Sequence, residues 1–463
     1  MKDKRVFMFF SAVMLVGLLA ACGGGGGGGT ATPKATSTPK ATSTVQATAT
    51  AKATGTPSGA TATPSGQVGN VNVLGIWGDG ELDSFNAMVA PWQTQTGGTM
   101  QFTGSRNITS DLTLKVEGGS PPDIAIPAET GLFQQFAKAG KLAKLSDCPG
   151  LEAKVKADYP QSFLDLGTVN GTLYGFFMKV DSKGTVWYDP KVFSQKGLTP
   201  LAAGATFDDL VALSDQAKAA GLAPWSMGMQ VGAGADGFPG ADWVDQLILT
   251  DYGPDVYDQI IAGTIPFTDS RMKTAWEQFG QIALTSGYVT QGGAAAINAT
   301  NFQDSSFPPF QTPPTAAMVY LGSFAAGFIK GQFPSLVAGT DYTFFPFPGT
   351  GVTGGANIVY AFNSNPGTCS LMSWLESADA QKIWVGLGGF HSVNKNVSLD
   401  SYPDAVEKAV AQQLQNANPF RFSLDDAIGG ALETTFFTGI GQYLANPSSL
   451  DSILSGIEAQ RGH

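Results

Sequence analysis

Histidine and cysteine are almost missing from this chain: two of the first and three of the second in 463 residues. The histidines are His391 and His463, and the second is the last residue of the sequence, so a Ser-His-Asp arrangement would rest on His391 alone. No H-x-x-x-H, C-x-x-C or EF-hand spacing occurs, so nothing marks a metal site or a cofactor. Glycine-rich pieces such as Gly232-Ala233-Gly234 lack a following GK[ST] and read as loops, not phosphate cradles. A basic surplus is lacking too. Lys and Arg number 26 against 37 Asp and Glu, a net charge of −11. Nucleic acid is excluded as a partner, because its phosphates demand a basic face. The same balance weighs against a strongly anionic ligand. Glycoside hydrolysis needs two carboxylates across a cleft, and no Asp or Glu stands in a recognisable catalytic context.

The N-terminus has no apolar run long enough to span a bilayer. Lys2, Lys4 and Arg5 precede Val6 to Ala21, which falls short of the ~20 apolar residues of a spanning helix. Residues 1–21 read instead as a signal peptide. They end in Leu19-Ala20-Ala21-Cys22, which resembles the lipobox of bacterial lipoproteins. That resemblance implies an extracytoplasmic protein anchored to the cell membrane by acylated Cys22; more than one acyl chain makes such attachment stable. An ordinary signal peptide with an incidental cysteine is the alternative. Seven glycines, Gly23 to Gly29, and a Thr/Ala/Pro/Lys/Ser tract follow to about Gln67. The tract has no aromatic and one large aliphatic, Val45, so it buries too little to offset ordering. Residues 22–70 read as a tether whose ends lie on the order of 40 Å apart by the square-root law. Its lysines (Lys34, Lys40, Lys52) are its only charges, so the remainder is more acidic still.

That remainder exceeds the ~250–300 residues at which one hydrophobic core stops growing. Its low charged fraction, 14%, and its many Gly and Thr fit an exported globular protein. Val71 to Trp77 alternates like a strand, and Leu82, Phe85, Val89 and Trp92 recur at helical spacing. A strand from Thr99 to Thr103, a helix from about Thr109 to Glu117 and a short strand at Ile124 to Ile126 complete βαβ units. Ligands of such sheets lie beyond the carboxyl ends of the strands. Trp77 to Glu81, Arg106 and Pro127 to Glu129 are thereby expected on the ligand side.

From Asn170 to Phe193 the chain reads NGTLYGFFMKVDSKGTVWYDPKVF. Asn170-Gly171 suits a two-residue hairpin turn. Two extended runs flank Asp181-Ser182-Lys183, and Asp189-Pro190 looks like a helix start. A strand leaving one sheet, crossing a gap and entering another fits this pattern. Together with Ala223-Pro224-Trp225, FPGADW at 238–243, Tyr252-Gly253-Pro254-Asp255, Phe267-Thr268-Asp269, Gly388-Gly389-Phe390 and FRFSLDD at 420–426, it resembles the extracellular solute-binding proteins of carbohydrate ABC importers, the α-glucoside and oligosaccharide binders above all.

The resemblance implies an α/β fold of two lobes, the type II periplasmic-binding-protein fold. Each lobe would hold a mostly parallel sheet flanked by helices, and three crossover strands would join them. The expected boundaries are 71–182 and 362–404 for the N-terminal lobe, and 183–361 and 405–463 for the C-terminal lobe. The return crossing is expected at Gly354 to Phe362, a first-lobe helix at Ser373 to Leu387, and the third crossing after Ala405. A carbohydrate ligand, an ABC permease as partner and a monomeric state follow from the same resemblance. A secreted lipoprotein glycoside hydrolase is the main alternative, and a surface adhesin on a Thr-rich stalk a third.

A pyranose offers an apolar C–H face to aromatic rings and hydroxyls that both donate and accept. Trp77, Asp79 and Glu81 supply an aromatic and two carboxylates at one strand end; a core tryptophan with solvated loop acids is the competing reading. The resemblance puts Asp181 against ligand hydroxyls, matches Lys183 to a family lysine, and places Phe324 where members stack an aromatic on sugar. Asp242-Trp243 is expected as the second-lobe platform, with helix-start packing as its competitor. Arg421 and Asp425 or Asp426 would complete the lining. Cys148 and Cys369 either form a disulfide or remain two buried thiols.

Overall fold

Alternation at Val71 and helical spacing after it both translate into structure. The computed structural model describes residues 68–105, 108–128, 130–232 and 235–461, all within one unit, Ala62–His463. Strands β1 (Asn70–Gly75), β2 (Thr99–Gly104) and β3 (Ile124–Ile126) alternate with helices Asp79–Thr96 and Ile108–Glu117. β1 pairs in parallel with both neighbours, as βαβ crossovers require. The signal peptide, Cys22 and most of the tether lie outside the described residues, as do Arg106 and Glu129. Of Asp79 only the backbone is described.

Asn170 and Gly171 take φ of 50° and 76°, the positive pair that two-residue hairpins favour. They join β4 (Thr168–Val169) to β5 (Thr172–Leu173). Next come β6 (Gly175–Ser182) and β7 (Thr185–Tyr188), and the two lie in different sheets. The first crossing therefore falls at Lys183-Gly184. Asp189 caps the helix Pro190–Lys196, its carboxylate accepting from the amides of Lys191 and Val192. Thr206 and Asp209 form a reciprocal capping box on the helix Phe207–Ala219.

β8 (Ala223–Ser226), β9 (Ala316–Tyr320) and β10 (Thr343–Pro346) complete the second sheet in the order β10-β7-β9-β8. β11 (Val352–Ala361) returns to the first sheet, and β12 (Phe420–Phe422) extends it to β12-β11-β3-β1-β2, with β6 also on β11. Outgoing and returning strands run in opposite directions, so β6 is antiparallel to β11 and β7 to β10. Both sheets are consequently mixed, and in the second only the β8–β9 pair is parallel. The first sheet is mostly parallel as expected, with three of its five pairings parallel; for the second the expectation is corrected.

Lobe boundaries shift as well. β11 pairs with β6 from Gly354↔Ser182 onward, so the return crossing is complete before Gly354, not spread to Phe362. Glycine permits this: a Cβ on Gly354 would stand 2.3 Å from the Asp181 carbonyl oxygen. Val410, Ala411 and Leu414 of the helix Ala405–Asn416 pack in the first-lobe core, and Leu424 packs in the second. The third crossing thus falls at Ser423, later than Ala405. The expected helix Ser373–Leu387 is two helices, Pro366–Leu375 and Ala378–Leu387, because Ser377 caps the second. Cys148 and Cys369 form a disulfide within the first lobe.

Candidate functional site

A cavity of about 490 Å³ opens where the crossing strands leave the first sheet. Its floor comes from β6, where the strand alternation turns Lys179 and Asp181 to the same side. Lys179 Nζ lies 3.1 Å from Asp181 Oδ2 and 3.7 Å from Glu81 Oε1. Burial opposes the charge on Lys179, but Asp181 and Glu81 outweigh it and hold the ammonium above its ordinary pKa. Burial likewise opposes ionisation of Asp181, and Lys179 and His391 outweigh it, so its carboxyl lies below the usual range. The Ser323 hydroxyl donates to Asp181 Oδ1 at 3.4 Å. Ser323 is itself tied to the crossing, its amide donating to the Ser182 carbonyl at 2.7 Å.

One wall belongs to the second lobe. Phe324 and Phe328, four residues apart at the start of the helix Ala325–Gln332, lie 5.8 Å between ring centroids. Phe302 packs edge-on to both, and Phe238 edge-on to Phe302. All four rings are half-buried, so each keeps a face or edge available. The opposite wall belongs to the first lobe: Trp384 and His391, whose Nε2 lies 2.8 Å from Glu407 Oε2. The arrangement is a groove with a hydrogen-bonding floor of Lys179, Asp181 and Glu81 and aromatic sides. Such a lining can exchange hydrogen bonds with hydroxyls and pack against an apolar face.

The expected site residues divide sharply. Glu81, Asp181 and Phe324 line the cavity together. Trp77 does not: it is 1% exposed, its ring packed against Phe85, Phe102 and Trp384 in the first-lobe core. Trp243 does not either. It is 2% exposed, with Trp225, Tyr320 and Phe347 all edge-on around it. For both tryptophans the core reading prevails: Trp77, in the loop after β1, turns into the first-lobe core, and Trp243, on the helix Phe238–Ile261, into the second. Lys183, Asp242 and Asp425 are buried beside the cavity and pair with one another, Lys183 Nζ lying 2.8 Å from Asp242 Oδ1. Arg421 forks onto Asp258 at 2.6 and 2.8 Å, away from the groove. Lys179, His391, Glu407 and Phe328 also line the cavity and are not legible as site residues in the sequence. Phe324 and Phe328 at i, i+4 after Gly322-Ser323 are the one local signal that points to a shared helix face.

The profile of the bacterial extracellular solute-binding proteins matches residues 87–413. The osmoprotective compounds-binding protein GgtB of Synechocystis is 31% identical over 84% of this chain and 91% of its own length. The α-glucosides-binding periplasmic protein AglE of Rhizobium meliloti is 30% identical, over 84% and 86% respectively. Among solved structures, the bacterial solute receptor AcbH, described with an exclusive preference for β-D-galactopyranose, superposes with a TM-score of 0.71 at 18% identity, over 85% of this chain and 97% of its own. A chitin oligosaccharide binding protein follows at 0.69 and 18%, over 84% and 97%. These structures share the two-lobe fold. The hydrolase alternative finds no support, since the family and these relatives are binding proteins. The chain belongs to the bacterial extracellular solute-binding proteins.

Proposed function

We propose that this protein captures a neutral sugar, an α-glucoside or another oligosaccharide, in the groove between its lobes and delivers it to an ABC permease. The observation that carries the reading is the pairing of a Glu81–Lys179–Asp181 floor with the Phe324–Phe328 wall. Sugar hydroxyls would exchange hydrogen bonds with Asp181 and Glu81, while an apolar sugar face stacks on Phe324. Because floor and wall come from different lobes, a ligand touching both shifts an open–closed equilibrium toward the closed form. Hinge closure is a general motion of periplasmic binding proteins. The permease would read that form. Acylated Cys22 and the glycine- and threonine-rich segment would hold the protein at the membrane surface as a monomer.

The name of GgtB favours a second reading, in which the guest is an osmoprotective solute. A thermal-shift screen of the purified protein separates the two. Stabilisation by maltose-type α-glucosides and oligosaccharides supports the first reading. Stabilisation confined to small osmoprotective solutes supports the second, and no stabilisation by any sugar overturns the first.

A further inference from the structure

One turn of the helix Phe238–Ile261 grips all three crossings. Asp242, Asp245 and Gln246 stand at i, i+3 and i+4, so they share a face. Asp242 pairs with Lys183 of the first crossing. Gln246 accepts from the Thr353 amide and hydroxyl and donates to the Gly351 carbonyl, all at 2.9 Å, holding the second. Asp245 Oδ2 accepts from the amides of Leu424 at 2.8 Å and Asp425 at 3.4 Å, holding the third.

The grip is overcharged. Asp242, Asp245 and Asp425 are each no more than 1% exposed, and oxygens of all three lie within 4.8 Å of one another. Asp426 Oδ2 lies 3.5 Å from the same Lys183 ammonium. Tyr257 and Tyr320 complete the surroundings, but their hydroxyls donate to the carbonyls of Phe422 and Asp242 and add no positive charge. Four carboxylates thus face one ammonium. Asp242 Oδ1 is ion-paired with Lys183, and Asp245 Oδ2 and Asp425 Oδ1 each accept from backbone amides. Asp242 Oδ2 and Asp245 Oδ1 have no hydrogen-bond partner among the described residues. Like charges this close and this dry do not all ionise.

We propose that this hinge cluster holds a shared proton at neutral pH, carried by the free oxygen of Asp245 toward its neighbouring carboxylates, and that losing it loosens the grip on the crossings. Burial followed by mutual repulsion pushes Asp245 up, and burial pushes Asp425 up and Asp242 to about 6 against the pull of Lys183. The cluster titrates as one unit. The folded form binds more protons than the unfolded chain, so its contribution to stability is full below the ordinary Asp range and is lost as pH rises through about 6 and beyond.

Asp245→Asn tests this, because its carboxamide mimics the protonated acid: the oxygen still accepts from the Leu424 amide, and the NH₂ donates where O–H did. The apparent Tm of the wild-type protein should fall by several degrees from about pH 5 to about pH 9, and that of Asp245→Asn by less than half as much. Asp425→Asn should flatten the profile likewise. Parallel profiles in both variants overturn the proposal. So does a wild-type Tm that rises with millimolar Ca²⁺, falls with chelator and loses this response in Asp245→Asn, which would make the cluster a cation site. No sugar is needed, so the result stands apart from the ligand reading.

Discussion

Asp181 and Trp243 give opposite answers to the same question, what a side chain beside the groove does. Asp181 is ionised, half-held by Lys179 and Ser323, and open to the cavity. Replacing it with Asn keeps its size but removes a charge-assisted acceptor, which is worth roughly 1.5–3 kcal/mol to a bound hydroxyl. Calorimetry on Asp181→Asn should show sugar affinity down at least tenfold, with Tm lowered as well because the buried Lys179 ammonium loses its nearest counter-charge. Trp243→Ala should act the other way round. It empties a space ringed by Trp225, Tyr320 and Phe347, so stability falls by about 3–5 kcal/mol in chemical denaturation, while any loss of binding follows from unfolding. Nothing in the sequence separates these two tryptophan roles, because a stacking ring and a core ring occur in the same apolar company. The His391–Glu407 and Lys183–Asp242 pairs were illegible for a different reason: their partners are far apart in the chain, and only the fold joins them.

Elements whose physics is local were read well. Asn170-Gly171 and Asp189-Pro190 each carry their own turn or cap, and each forms it. The crossings were harder. Two extended runs around Lys183 betrayed the first, whereas the start of β11 depends on how closely Gly354 lets two backbones approach. A methyl group there meets the Asp181 carbonyl oxygen at 2.3 Å and the Phe420 ring at 2.7 Å. Gly354→Ala should therefore destabilise by about 1–3 kcal/mol and weaken sugar binding with it, since the displaced strand carries Asp181. Urea denaturation with and without ligand measures both. The Cys148–Cys369 bond joins segments 221 residues apart in one lobe. Replacing both cysteines by Ala should cost about 2–5 kcal/mol, read in the same assay. It should leave affinity unchanged, since neither cysteine lines the groove.

Across the whole molecule, two sheets with the cores packed on them are joined by three crossings, and one helical turn collects them. Such a body bends most readily where only those crossings connect its halves. The groove lies at that line, with its hydrogen-bonding floor on one lobe and its aromatic wall on the other. Small-angle scattering should accordingly report a smaller radius of gyration at saturating sugar. A calorimetric titration of an α-glucoside oligosaccharide onto wild-type protein and Phe324→Ala, run side by side, decides whether a sugar sits between floor and wall. One-to-one binding with the sugar recovered intact is expected, weakened by roughly three- to tenfold when the ring is removed. Equal affinities in the two proteins, or no binding to wild type across such sugars, would contradict it.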